Sequence, residues 1–342
     1  MNKVRVLING FGRIGRTIAR INAEKDLFDL VAINDIDPYA DNMAYLFKYD
    51  TTYGRFEGDV DVKENNIVIG GKPINYFGEA DLKNVPLQDL GIDCVIDASG
   101  VYNCVETLKE LCGTLPNLTA VVTHSSKIVD KEIIMGVNDD IITPEDKLFS
   151  NSICDANAIA HPLKWLNDEF GIKNGSVTTV HPWLSYQNLV DGPSKSQRSP
   201  GLVWTDYSLG RNSINNLIPK NTTAVSATEK VITEIAGLLA SFSYRVPTDI
   251  VSSSDITLGL NQDIDLDTLS SFLESKAATS KYIGVNKDSR VSTDYKKESH
   301  SGIIDMQWLK SHNGLVKIIV WYDNEWGYGS RAIDLALKVS QR

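Results

Sequence analysis

Apolar residues come in short unbroken blocks up to about residue 150, and in longer, partly alternating blocks beyond it. VRVLING (Val4 to Gly10) ends in glycine, Ile14, Ile18 and Ile21 follow at helical spacing, and LVAIND (Leu30 to Asp35) is a second apolar block. The change of period predicts strand, helix, strand, a βαβ unit. CVIDASG (Cys94 to Gly100) and AVVTHSS (Ala120 to Ser126) repeat the theme of an apolar strand ending in small polar residues, with a helix predicted from about Asn103 to Gly113 between them. Such alternation predicts a doubly wound α/β unit with a parallel sheet, whose ligands bind outside the carboxyl ends of the strands.

The second half reads differently. Ile159, Leu163, Leu166 and Phe170 mark one helical stripe, and strands are predicted at SVTTVH (Ser176 to His181), ASFSYRVP (Ala240 to Pro247), SSDITLGL (Ser253 to Leu260) and LVKIIVWYD (Leu315 to Asp323). TAVSATEKVITEIAG is predicted helical. This pattern implies an α+β unit on a mostly antiparallel sheet. Residues 190–212 are rich in Gly, Pro and Ser without clear period, and are expected to form a long ordered loop.

With 342 residues and 42% apolar content the chain can bury a sizeable core, enough for about two domains. The formal charge of −10 leaves no basic excess for a phosphate backbone, so nucleic acid is not expected as a partner. Cys94, Cys104, Cys112 and Cys154 lack the paired spacings of a zinc site and are too few for a disulfide framework, so no metal is expected and a reducing, cytoplasmic setting fits. No run reaches the ~18 apolar residues of a membrane span, and the start enters a strand pattern directly, without a leader.

NGFGRIGR places Gly10, Gly12 and Gly15 in GxGxxG spacing after a strand and at the opening of a helix. The first glycine permits a tight turn, the second lets backbone approach a pyrophosphate, and the third allows close packing. Asp35, at the end of the second strand, is placed to accept from a ribose 2′-hydroxyl and to repel a 2′-phosphate, which favours NAD over NADP.

SNSICDANAIAHP puts Cys154 in or just before the first turn of a helix, where the positive end of the dipole favours thiolate. His181 ends a strand that can approach that helix start. By themselves these residues leave two readings open, an activated nucleophile with its base or an ordinary buried thiol with a hydrogen-bonding histidine.

INGFGRIGR, SN..C..N, TTVH, VDGPS, RVPT and WYDNEWGY, in this order and with 27 residues from Cys154 to His181, resemble the phosphorylating glyceraldehyde-3-phosphate dehydrogenase family over essentially the whole chain. The resemblance implies a Rossmann-type NAD-binding domain at 1–153, a catalytic domain at 154–324, and a closing helix at 325–342 that packs on the first domain. It implies a homotetramer acting on a small aldehyde. Cys154 would form a thiohemiacetal and then a thioester, with His181 as base and the Cys154 backbone N–H toward the oxyanion. Gly10, Phe11, Gly12, Arg13 and Ile14 would hold the cofactor, Arg13 and Ile14 through backbone contacts to pyrophosphate. Ser99, Gly100 and Thr123 would line the nicotinamide side, Asn324 would bind its carboxamide, and Tyr328 would lie against the ring.

The chain departs from the family pattern where substrate binds. The residues flanking the cysteine are Ile153 and Asp155 in place of Ser and Thr, and Leu184 replaces the threonine three residues after the histidine. Arg245 and Thr222 are retained, Thr223 replaces a glycine, and Arg211 is aligned only across an insertion that also brings Trp204 and Tyr207, either of which could cover substrate. These changes point to a divergent member with altered substrate or phosphate specificity. A conventional phosphorylating enzyme and an idle NAD-binding scaffold or sensor remain the alternatives.

Overall fold

The computed structural model describes residues 3–196 and 199–341; Gln197 and Arg198 of the long loop, and both chain ends, lie outside the described residues. The chain divides into two compact units, one of residues 1–133, 140–151 and 329–342, the other of 134–139 and 152–328.

The first unit is built on a nine-stranded sheet. In chain order its elements are β1 (Arg5–Asn9), α1 (Arg13–Lys25), β2 (Asp29–Asn34), α2 (Ala40–Lys48), β3 (Val60–Lys63), β4 (Asn66–Ile69), β5 (Lys72–Phe77), β6 (Cys94–Asp97), α3 (Tyr102–Thr114), β7 (Thr119–Val122), β8 (Lys131–Glu132) and β9 (Leu148–Ser150). They are arranged β3-β4-β5-β2-β1-β6-β7-β9-β8. β1 pairs in parallel with β2 on one side and β6 on the other, so the direction of winding reverses at β1 and opens a crevice at its carboxyl end. Leu7, Val95, Ala120 and Val122 face Val105, Leu108 and Cys112 of α3 in one buried cluster. The β3–β5 meander was not anticipated from the sequence; it turns at Glu64 and Asn65 (φ +50° and +61°) and again at Gly70 and Gly71 (φ +57° and +79°), the left-handed pairs that short hairpins require.

The second unit carries an eight-stranded sheet, β11-β12-β10-β13-β17-β15-β14, with β16 beside β17. Its elements are α4 (Cys154–Phe170), β10 (Ile172–Pro182), β11 (Ile218–Lys220), α5 (Ala224–Glu229), β12 (Leu239–Val246), β13 (Ser252–Leu260), α6 (Leu266–Thr279), β14 (Ile283–Asn286), β15 (Gly302–Asp305), β16 (Lys310–His312) and β17 (Leu315–Tyr322). The pairings are antiparallel except β10/β12 and β14/β15, as the sequence pattern implies. The predicted stripe of α4 is fully buried against Ile256, Leu258, Ile318 and Val320 of the sheet.

The helix expected across TAVSATEKVITEIAG is shorter. α5 stops at Glu229 and only a 3-10 turn, Thr233–Ile235, follows. Beyond it the β-branched run Val231-Ile232-Thr233, with Ile232 outside the helical region (φ −128°, ψ 82°), disfavours continuing the helix. The described residues of the segment 190–212 form a loop closed on itself by the Gly192 N–H on the Gly210 carbonyl and a bridge between Lys195 and Val203. The last helix, α7 (Trp326–Ser340), brings its residues from Gly329 onward into the first unit, where Gly329 lies against Ile18 and Ile21 and the Ser340 hydroxyl bonds Thr119 at 2.9 Å. Among the described residues no helix is long and apolar enough to cross a membrane.

Candidate active site

The first unit gathers its chemistry at the carboxyl ends of β1, β2, β6 and β7. Gly10 has φ +84°, and a Cβ there would lie 2.5 Å from the backbone of Ser99. A Cβ on Gly15 would lie 2.1 Å from the Gly10 carbonyl, so α1 can start this close to β1 only without a side chain. At Gly12 a Cβ would meet nothing within 4 Å. That glycine is therefore not required by packing, and the open space above the start of α1 suits a pyrophosphate.

Asp35 closes this loop as well as ending β2, for its Oδ2 accepts the Phe11 N–H at 2.6 Å. Phe11 is wholly buried and stacked on Phe47, so it serves as the anchor of the loop. Arg13 pairs with Asp50 and lies over Tyr53, leaving its backbone and that of Ile14 at the helix opening. Gly100 has φ +70°, while the Thr123 hydroxyl and N–H both bond the Asp97 carbonyl and the Ser99 N–H bonds the Asp97 carboxylate. Sequence reading missed the side chains that stitch these strand ends together: Asn34 donates to Asn9 (2.7 Å), and Asn9 donates to Asp97 (2.8 Å), all buried. Their signal was the polar residue closing each apolar strand.

In the second unit α4 begins at Cys154 with Ile153 in the capping position, and no side chain caps the first turn. Ser152, just before it, is buried in the left-handed region (φ +54°), an uncommon conformation for serine that aims the thiol off the helix start. Tyr328, expected beside the nicotinamide, is buried and donates its hydroxyl to the Ser152 carbonyl at 2.9 Å, so it braces that turn. His181 comes from the end of β10, and its Nε2 lies 3.8 Å from the Cys154 sulfur. Its Nδ1 is 2.8 Å from the Pro182 carbonyl, which fixes the proton on Nδ1 and leaves the Nε2 lone pair facing the sulfur. The fold thus brings together the two residues that the sequence alone left unresolved.

Asp155 faces inward. Its Oδ1 accepts the Tyr322 hydroxyl at 2.7 Å and lies 3.6 Å from the Cys154 sulfur. Burial, then the Asp155 charge, hold the Cys154 thiol well above its ordinary range, against an opposing pull from Arg245. Burial, then Arg245, push the His181 imidazole down to about 3, opposed by Asp155. The expected dipole-stabilised thiolate is therefore not the resting state. A helix terminus is worth about 0.3–1 kcal/mol, whereas a like charge at this range costs about 4 kcal/mol at an effective dielectric near 20. The resting pair is thiol and neutral imidazole, and the proton must move as the sulfur reacts.

Arg245, from β12, is 8% exposed. Among the described residues its one hydrogen bond goes from Nη2 to the Tyr186 hydroxyl at 3.4 Å, and its Nε has no partner. A buried guanidinium without a carboxylate has donors that an anion could satisfy. Lys220, overlooked in the sequence, adds a second positive charge acting on His181. Leu184 offers an apolar side chain nearby in the chain, with its N–H on Gln187, and Trp204 packs edge-on against Tyr186. Tyr207 is 86% exposed.

Arg211 is exposed and bound to Asp191 at 2.9 Å. The Thr222 hydroxyl accepts the Ala224 N–H, and Thr223 is exposed with φ −98°, a conformation that needs no glycine. Asn324 is 5% exposed and its Oδ1 has no partner. An orphaned buried acceptor of this kind fits a carboxamide N–H donor, and within the first unit the open space at Gly12 fits the pyrophosphate of NAD.

Two family descriptions match the chain: the NAD binding domain of glyceraldehyde 3-phosphate dehydrogenase over residues 4–104 and its C-terminal domain over 153–324. The chain is 38% identical to glyceraldehyde-3-phosphate dehydrogenase 1 of Kluyveromyces lactis, over 98% of its own length and 100% of the relative's. It is 37% identical to glyceraldehyde-3-phosphate dehydrogenase 2 of Saccharomyces cerevisiae, over 99% of both. It is 35% identical to the cytosolic glyceraldehyde-3-phosphate dehydrogenase of Gracilaria gracilis, over 100% of this chain and 99% of the relative. A thiol at a helix start facing an imidazole, a glycine loop built for a dinucleotide and full-length similarity converge: this chain belongs to the glyceraldehyde-3-phosphate dehydrogenase family and is an NAD-dependent oxidoreductase acting on an aldehyde.

Proposed function

We propose that the chain oxidises a small aldehyde bearing an anionic group, of the sugar-phosphate type, and releases the resulting thioester with little help from inorganic phosphate. The observation that carries this reading is the Asp155 carboxylate 3.6 Å from the nucleophilic sulfur. An inorganic phosphate attacking there would meet a like charge at a cost of about 4 kcal/mol. Ile153, on the other flank, offers no hydrogen bond. Water carries no charge and suffers no such repulsion, so hydrolysis to the free acid is the favoured release. The anionic group of the substrate is assigned to Arg245, whose buried guanidinium lacks a carboxylate partner.

In the reaction Cys154 Sγ bonds the aldehyde carbon while His181 Nε2 receives the proton. The uncapped first turn of α4 presents N–H groups to the oxyanion that develops. Bound NAD would supply the hydride acceptor, with Gly12, Arg13, Ile14 and Asp35 of the first unit as its holders. Water then displaces the sulfur, the acid leaves, and the thiol regains a proton.

A conventional phosphorylating enzyme is the second reading, favoured by the retained Arg245 and by relatives that bear that name over their whole length. Assembly as a homotetramer fits the exposed apolar side chains of Leu189, Val190, Leu202, Val203 and Leu217, and a cytoplasmic setting fits the cytosolic relative. NADH formation from glyceraldehyde 3-phosphate, with and without inorganic phosphate, separates the two readings. Turnover that is unaffected by phosphate supports hydrolysis; robust turnover only with phosphate refutes it and favours the conventional enzyme.

A further inference from the structure

We propose that Cys154, Asp155 and His181 form a binding site for a thiophilic divalent cation of the zinc class, which caps the nucleophile and holds the enzyme reversibly inactive. It rests on the geometry around the thiol and not on the identity of the aldehyde or the fate of the thioester.

The ligand atoms of the three residues all lie within 4.8 Å of one another. Bonds of about 2.3 Å to sulfur and about 2.0–2.2 Å to nitrogen and oxygen, at a tetrahedral angle, place ligand atoms about 3.6 Å apart along each edge that includes the sulfur. The two such edges here are 3.8 Å, sulfur to Nε2, and 3.6 Å, sulfur to Oδ1. A zinc-sized ion therefore fits after contraction of a single remaining edge, from carboxylate to imidazole.

The donors are already oriented. His181 directs Nε2 at the sulfur because its Nδ1 is held by the Pro182 carbonyl at 2.8 Å, the outer bond that metal-ligating histidines use. Asp155 is turned inward by the Tyr322 hydroxyl at 2.7 Å. Tyr322 is itself tied to Ser254 across the β13/β17 ladder, so the carboxylate has rigid support.

Charge gives the site its preference for a dication. Without metal, a thiolate beside the Asp155 carboxylate is strongly opposed. When the ion binds, the Cys154 S–H proton leaves to solvent, a metal–sulfur bond forms, and two anionic ligands neutralise two positive charges. The nearby Arg245 guanidinium is then beside a neutral cluster and not an added cation. The fourth coordination position stays open to water. Family members with threonine after the cysteine have no carboxylate at this place, so the site belongs to this chain's own substitution. The long-range step from 154 to 181 also explains why cysteine spacing alone gave no metal signal.

The test is titration of the reduced, full-length chain with Co2+ as a spectroscopic stand-in, followed by displacement with Zn2+. One equivalent is expected to give a sulfur-to-cobalt charge-transfer band and the intense visible bands of four-coordination. Cys154→Ser should abolish the charge-transfer band, and Asp155→Asn and Asp155→Thr should each weaken binding at least about tenfold. One equivalent of Zn2+ should protect Cys154, mapped by peptide mass spectrometry, from iodoacetamide, and a chelator should restore labelling and NADH formation together. A band that survives Cys154→Ser, or both Asp155 variants binding as tightly as the unaltered chain, overturns the proposal. Undiminished labelling of the unaltered chain with Zn2+ present does so without any variant.

Discussion

The hydroxyl of Tyr322 donates a 2.7 Å hydrogen bond to Asp155 Oδ1, and so fixes a carboxylate beside the reactive thiol. Tyr322 closes a β-ladder, paired with Ser252 at its end, and is 1% exposed. The carboxylate cannot swing to solvent without leaving the proton of a buried hydroxyl without an acceptor.

The first prediction follows from that fixed charge. Asp155→Asn, which keeps an acceptor for Tyr322, and Asp155→Thr should both lower the energy of the Cys154 thiolate. Iodoacetamide labelling of Cys154 near neutral pH is expected to accelerate about tenfold or more, since even a third of a ~4 kcal/mol repulsion is about a factor of ten. Unchanged labelling in both variants would mean that the carboxylate does not act on the sulfur.

Arg245 yields the second. Among the described residues its Nε lacks a partner and its only hydrogen bond is to Tyr186 at 3.4 Å, so on the proposed reading its charge is available to a ligand. Arg245→Gln should raise KM for a phosphorylated aldehyde by about 10- to 100-fold, the worth of one or two hydrogen bonds to a charged group. The same variant should change KM for an uncharged aldehyde such as glyceraldehyde much less. Equal losses for both substrates would place the anion elsewhere.

Asp35 does two jobs, holding the Phe11 N–H at 2.6 Å and presenting a negative charge at the end of β2. Asp35→Asn removes the charge while its amide oxygen still accepts from Phe11, at the loss of the single loop bond from the Asp37 N–H to the other carboxylate oxygen at 3.1 Å. The ratio of kcat/KM for NAD over NADP is expected to fall about tenfold or more in this variant, with thermal stability little changed. A preserved ratio would show that the 2′-position of the ribose is read by another group.

How far all this was legible depends on whether a feature is local. The βαβ start, the GxGxxG turn and the α4 stripe follow from period and from glycines that the structure needs at Gly10 and Gly15. The β3–β5 meander was missed although Asn65, Gly70 and Gly71 carry the turn signals, because its short strands are mostly half-exposed and lack a long apolar run. The orientation of Asp155 was not readable at all. It is set by a tyrosine far along the chain, |i−j| of 167, which no local pattern around Cys154 reveals. Arg211 shows the converse, an alignment across an insertion that the fold resolves as a surface pair with Asp191.

The last prediction concerns acid stability. His181 is buried against Cys154, Asp155, Arg245 and the charge of Lys220, and its imidazole stays neutral down to about 3. In the unfolded chain an ordinary histidine takes up a proton near pH 6.5. Between those limits the unfolded state binds one more proton than the folded state, so stability rises with pH and falls as pH drops. The sign is opposite to that of a histidine gaining an acidic partner: the penalty is absent above about pH 6.5 and grows by up to about 1.4 kcal/mol per unit on acidification. His181→Asn removes that proton uptake. Urea denaturation at several pH values between about 6 and about 4 should therefore show a shallower loss of stability in the variant, by close to one proton in slope. Parallel slopes would mean that the folded protein already protonates His181 in this range, and that Asp155 outweighs both burial and Arg245 in setting its charge.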